Sequence, residues 1–184
     1  MSMQVINNLG QQKLDKITKN IILKNLKFFD YEKKEFKKIL LIQPPDGDKN
    51  IFDNKRAKEK KYENFPAYGL AVLASHLKPD YQCKVLNLND VVIDNARENS
   101  IEDFDYDKCV HESIDAVIKD FCPDLIALTC MFSQTHASMI NVANYIKSKN
   151  KKIPICVGGV HVSNSFQNIK TRPDLIKDLE NCDF

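Results

Sequence analysis

Three short runs decide what this chain can become: Ile39-Leu40-Leu41-Ile42, Leu125-Ile126-Ala127-Leu128 and Ile153-Pro154-Ile155-Cys156-Val157. None alternates apolar with polar residues, so a strand built from any of them has two faces to hide and belongs inside a sheet covered on both sides. Each run also ends in small or special residues. Pro44-Pro45 follow the first, Thr129 and Ser133 the second, and Gly158-Gly159 the third. Proline cannot donate to a ladder and stops a central strand, while paired glycines let a backbone pass very close to a flat ligand. In an open parallel sheet such ends lie side by side, so three distant stretches converge on one crevice.

The segments between the runs carry helical spacing. After Pro44-Pro45-Asp46-Gly47 comes a basic loop of about 18 residues, long enough for a lid. Leu70, Leu73, Ala74 and Leu77 then fall at i, i+3, i+4 and i+7 in a helix opened by Phe65 to Tyr68. Lys84 to Asn89 reads as a second, more polar strand nearer the sheet edge. The acidic segment after it shows little periodicity until Ile114, Val117, Ile118 and Phe121, a helix that stops before Pro123. Asp124 to Cys130 is the third strand, expected to be buried on both faces, and Ser133 or Thr135 can cap the next helix, whose inward stripe is Met139, Val142, Ala143 and Ile146. Beyond the fourth strand, Pro173, Leu175, Ile176 and Leu179 predict one more helix, and Cys182-Asp183-Phe184 the approach to a fifth strand.

This alternation implies an α/β fold, a flavodoxin-like (Rossmann-like) doubly wound parallel sheet with strand order 2-1-3-4-(5). A ligand would enter at the switch point between strands one and three. Residues 1–36 stand apart as a helical extension, with Leu14, Ile17, Ile21, Leu23 and Leu26 spaced among lysines. Residues 37–184 form the α/β domain, which we expect to stop before or within its last strand. Strand four is then an edge, open to self-association or covered by the extension.

Composition narrows the class further. No apolar run reaches the roughly 20 residues of a membrane helix, and the N-terminus lacks an apolar signal core, so a cytoplasmic protein is expected. Six widely spaced cysteines (83, 109, 122, 130, 156 and 182) fit reduced thiols and offer no two-to-four-residue metal spacing. Residues 1–38 carry nine lysines against four acids, a net of +5, which leaves −3 for the remainder of a chain whose total is +2. Lysine runs without interleaved aromatics read as solvated faces, so nucleic acid is not an expected partner.

The usual owners of this architecture fail on their motifs. No G-x-G-x-x-G follows the first strand, no P-loop is present, and no G-x-S-x-G elbow occurs. A flavodoxin's phosphate loop is missing too, and Thr129 stands where a receiver's phosphoacceptor aspartate would be.

Four pieces in order, Ile39-Leu-Leu-Ile-Gln-Pro-Pro45, Pro66-Ala-Tyr-Gly-Leu-Ala-Val-Leu-Ala-Ser-His-Leu77, Pro123-Asp-Leu-Ile-Ala-Leu-Thr-Cys-Met-Phe-Ser133 and Val157-Gly-Gly-Val-His-Val-Ser163, resemble the cobalamin (vitamin B12)-binding domain at the front of cobalamin-dependent radical S-adenosylmethionine proteins. The resemblance implies binding loops after strands one, three and four: Pro44, Pro45, Thr129, Ser133, Gly158, Gly159, His161 and Ser163, with Tyr68 and Gly69 closing over the ligand. A corrin is a broad apolar plate edged with amides, and such a plate asks for close backbone and short hydroxyls, not clustered charge. His161 reads equally as a turn residue bonded to backbone or as a ligand contact.

The chain departs from the cobalamin domains of mutases and methionine synthase, whose D-x-H-x-x-G supplies a cobalt ligand. Here Asp46-Gly47-Asp48 has no histidine, which leaves the lower axial position to water, to nothing or to an unidentified residue. Members of the radical family often lack that histidine. The family's C-x-x-x-C-x-x-C is absent, so the [4Fe–4S] cluster and S-adenosylmethionine are expected only in a separate C-terminal radical domain, and this portion alone is not expected to catalyse methyl transfer or ring formation. The competing expectation is a cofactor-free flavodoxin-like domain for interaction or substrate gating.

Overall fold

The structure, a computed structural model, describes residues 36–168 and 178–183. The helical extension expected before residue 36 and most of the helix expected around Pro173 lie outside these residues.

Four parallel strands form one sheet, β1 (Lys38–Gln43), β2 (Gln82–Asn87), β3 (Leu125–Thr129) and β4 (Ile155–Gly158), in the order β2-β1-β3-β4. This is the expected order. β1 is central, and Ile39 to Ile42 are all buried. β3 differs from expectation: burial alternates along it, with Ile126 and Leu128 buried and Leu125, Ala127 and Thr129 half-buried. The helices follow as α1 (Asn54–Lys58), α2 (Tyr68–Leu77), α3 (Leu88–Glu98), α4 (Tyr106–Phe121), α5 (His136–Lys149) and α6 (Val160–Gln167).

The sheet steps one way from β1 to β2 and the other way from β2 to β3 and β4. Right-handed crossovers therefore send α2 to one face and α3, α4 and α5 to the other. The packing follows. Leu40, Ile42, Leu86, Ile126, Leu128 and Ile155 meet Leu88 and Val92 of α3, Ile114 of α4, and Met139, Val142, Ala143 and Ile146 of α5. Ile39 and Leu41 point the opposite way, against Leu70, Ala74 and Leu77 of α2. Leu73, expected on that inward stripe, is 45% exposed. A helix packed over one strand covers only part of its circumference, and α2 takes Ala74 as its contact line.

Two further expectations fail. Residues 88–89 begin a helix instead of ending β2: Asn87 caps α3, its side chain accepting from the N–H groups of Asn89 and Asp90, and Leu88, Val92 and Ala96 are buried at i, i+4 and i+8. The basic loop after β1 is largely docked. Ala57 of α1 is fully buried, its carbonyl accepts from Arg97 Nε, Lys58 reaches Asn99 O, and Phe52 stacks on Tyr62 with ring centroids 5.2 Å apart.

β4 is the terminal strand among the described residues, and Asp183 covers part of its outer edge. The Asp183 N–H donates to Ile155 O (2.7 Å), and its Oδ2 accepts from Ile155 N–H (2.8 Å) and from Lys147 Nζ (2.6 Å). Lys147 is largely buried and also donates to Ile153 O, so removing the carboxylate leaves its ammonium without a counter-charge and the Ile155 N–H without an acceptor. Asp183→Ala is expected to cost about 1–3 kcal/mol in a urea melt, with the midpoint lowered and the slope unchanged.

Candidate functional site

The C-terminal ends of β3 and β4 are drawn together by their backbones. Thr129 registers with Gly158, and the Cys130 N–H donates to Gly158 O at 2.7 Å. The Cys130 carbonyl in turn accepts from His161 N–H at 3.2 Å. This leaves no room for a side chain at Gly159, where a Cβ would lie 2.4 Å from Cys130 O and where φ is +113°. Gly158 is the opposite case. A Cβ there meets nothing within 4 Å, and the residue is exposed. The two glycines thus divide the work: Gly159 makes the turn possible, while Gly158 presents bare backbone to open space.

The neighbouring loop after β3 is held from within. Burial pushes the Cys130 thiol up and keeps it protonated; it contacts Thr135 Oγ1 at 3.1 Å, and the Thr135 hydroxyl donates to Phe132 O at 2.8 Å. Neither Ser133 nor Thr135 caps α5 through its side chain, contrary to expectation, because a 3-10 turn at Ser133–Thr135 precedes the helix and the hydroxyls have other partners. Ser133 Oγ lies 3.2 Å from His161 Nδ1, and His161 Nε2 lies 3.0 Å from His136 Nδ1. Both ring nitrogens of the buried His161 therefore face side-chain partners. Neither is presented to a metal, and the alternative of a turn residue bonded only to backbone is incomplete. His136 is largely buried and continues the row to Asp178, 3.3 Å from its Nε2.

The end of β1 joins from the other side. Pro44 and Pro45 are buried, and the Pro45 carbonyl accepts from the buried Ser138 hydroxyl of α5. Asp46 and Asn89 exchange hydrogen bonds: Asn89 Oδ1 accepts from Asp46 N–H (3.0 Å), and Asn89 Nδ2 donates to Asp46 Oδ2 (3.1 Å). Burial raises the Asp46 carboxyl above its ordinary value, opposed by the Asn89 bond and helped by the nearby Asp90.

The structure thus gathers Thr129, Ser133, Gly158, Gly159 and His161 at one end of the sheet, with Pro44 and Pro45 at the end of the adjoining β1. Tyr68 and Gly69 are exposed at the start of α2, and among the described hydrogen bonds none ties them to this group. Ser163 is exposed on α6, its backbone N–H donating to Gly159 O. Asn89, His136, Ser138 and Asp178 were not legible as site residues. His136 did carry a signal, since it stands three and seven residues before Met139 and Ala143 on the inward stripe of α5.

The fold is that of a doubly wound α/β domain, with neutral hydroxyls and bare backbone at the C-terminal ends of β3 and β4. The chain belongs to the B12 binding domain family, whose match spans residues 62–174, more than half of its length. That match begins past β1, yet β1 is the centre of the sheet. No curated protein matches the chain. Among the described residues no helix is long and apolar enough to cross a membrane, and no group of three or more His, Cys, Asp and Glu could hold a metal ion.

Two predictions follow from this geometry. Gly159→Val should cost about 2–4 kcal/mol because both the conformation and the Cys130 contact forbid it, whereas Gly158→Val should stay within about 1 kcal/mol of the parent in thermal melts. A carboxyl raised in the folded state stabilises the fold below its ordinary value of 3.8 and loses that contribution as pH climbs through the folded value. Asp46→Asn keeps an acceptor for Asn89 Nδ2 and removes the buried charge, so it should melt higher than the parent at about pH 7, with the gap closing in acid.

Proposed function

We propose that this domain binds cobalamin over the C-terminal ends of β1, β3 and β4, and that it is the cobalamin-binding module of a radical S-adenosylmethionine enzyme. Family membership supports the ligand. The observation that carries the placement is Gly158, whose missing side chain leaves backbone open beside the half-buried Thr129 and the exposed Ser133. These groups fit a corrin: bare backbone suits the apolar plate, and two hydroxyls suit its amide rim. Gly159, Pro44 and Pro45 would shape the floor, His161 would act through Ser133, and Tyr68, Gly69 and Ser163 would border the opening. Bound cobalamin would supply a cobalt-centred carrier for a methyl group or an electron. The chain's own residues hold and orient it and exclude water from the inner side.

The [4Fe–4S] cluster, S-adenosylmethionine and the methyl-transfer or ring-forming step belong, in this proposal, to a separate C-terminal radical domain in a reducing, cytoplasmic setting. The described cysteines are all free thiols, which supports that setting. The outer edge of β4, met at Ile155 by Asp183, is the proposed seat for pairing with a further strand or with a second copy of the chain.

Purified protein mixed with hydroxocobalamin at a concentration well above tens of micromolar should retain corrin absorbance through gel filtration, and Gly158→Val should lose it while still melting like the parent. Retention by neither protein would favour a cofactor-free interaction or gating domain. Equal retention by both would move the ligand away from β4.

A further inference from the structure

The row Ser133, His161, His136, Asp178 spans four elements: the 3-10 turn at Ser133–Thr135, α6, α5 and the final 3-10 turn at Asp178–Asn181. Its contacts of 3.2, 3.0 and 3.3 Å are all within hydrogen-bond reach. The two rings meet edge to face, with centroids 5.0 Å apart at 72°. His161 is 6% exposed and the His136 side chain 13%, whereas Ser133 at one end and Asp178 at the other reach solvent. Beside this row the Cys130 thiol, which burial keeps neutral, meets Phe132 O and Thr135 Oγ1.

Proton counting fixes the direction of every bond. A carboxylate only accepts, so His136 Nε2 carries a hydrogen. A neutral His136 then offers a lone pair at Nδ1, to which His161 Nε2–H donates, and a neutral His161 offers Nδ1, to which the Ser133 hydroxyl donates. The Ser133 oxygen is left with lone pairs for an incoming N–H. One added proton reverses this. His136 becomes an imidazolium with Nδ1–H donating to His161 Nε2; His161 stays neutral but holds its hydrogen on Nδ1 and donates to Ser133 Oγ; and the Ser133 O–H turns outward. The proton enters at Ser133: its hydroxyl proton passes to His161 Nδ1 and is replaced from solvent, as the Nε2 proton moves to His136.

We propose that His161, His136 and Asp178 are positioning residues that set the hydrogen-bond sense of Ser133 toward the ligand, as an acceptor for a carboxamide N–H when the histidine pair is neutral and as a donor when it carries one proton. The ligand in this statement rests on the cobalamin reading; the inversion itself does not.

Ring 15N spectra of the ligand-free protein between about pH 5 and about pH 8 test the inversion directly. At the upper end both rings should show a protonated Nε2 and a bare Nδ1. On acidification His136 should take the charge, while His161 stays neutral and moves its hydrogen from Nε2 to Nδ1. Asp178→Ala should scramble the His136 tautomer and abolish the coupled exchange. Two rings titrating independently, or a His161 that keeps Nε2–H throughout, would overturn the proposal. Cyanocobalamin binding followed over the same range should change in acid by about threefold to tenfold, the worth of one neutral hydrogen bond, because the partner that Ser133 offers a carboxamide changes. The Ser133→Ala variant, folded like the parent by its melt, should show no such step. Parallel profiles for parent and variant would overturn the proposal as well. A tautomer exchange without cobalamin binding at any pH would uphold the inversion and count against the cobalamin reading alone.

Discussion

The close passage of Cys130 against Gly158 and Gly159 is the contact on which the rest of this site depends. It continues the β3–β4 ladder one residue past β3, to the Cys130 N–H on Gly158 O, and then turns the chain so that His161 N–H closes on Cys130 O. Because the turn admits no side chain at Gly159, α6 starts immediately beside the loop after β3. That proximity is what brings His161 of α6 within hydrogen-bond distance of Ser133 in the 3-10 turn and of His136 at the start of α5. A Cβ at Gly159 would lie 2.4 Å from Cys130 O and force this junction to shift.

A second constraint comes from the sheet. β1 and β3 lie side by side although 81 residues separate the end of one from the start of the other, and they do so because the chain first steps outward to β2 and then returns. The reversal leaves a gap between the loops after β1 and β3 that no crossover helix spans. Pro44-Pro45 ends the β1 ladder there, Ser138 fastens the Pro45 carbonyl to α5, and Asn89 holds Asp46 from α3. The loop that follows is secured by α1, so the floor of the crevice is fixed on the sides facing the major core.

The strand order and the inward stripe of α5 were legible in the sequence because unbroken apolar runs and i, i+3, i+4, i+7 spacing report burial directly. The start of α3 was not. Asn87 and Asn89 look like the polar end of a strand, yet one caps the helix and the other is buried against Asp46. The gathering of Thr129, Ser133, Gly158 and His161 could be foreseen from strand ends, but the different duties of the two glycines could not, since they depend on the distance to Cys130 O. His136 hid for a similar reason. A histidine on an apolar stripe carries no mark of its partner, and the partner Asp178 lies 42 residues on.

The central claim is that ligand lies over the strand ends with its plane against Gly158. Crystals of the protein grown with cobalamin, measured at the cobalt absorption edge, would locate the metal without reference to any assumed pose. The account predicts one anomalous peak above the C-terminal ends of β3 and β4, with corrin density in van der Waals contact with Gly158 and an amide near Ser133. A peak over the exposed side of α2, or at the opposite end of the sheet, would contradict it.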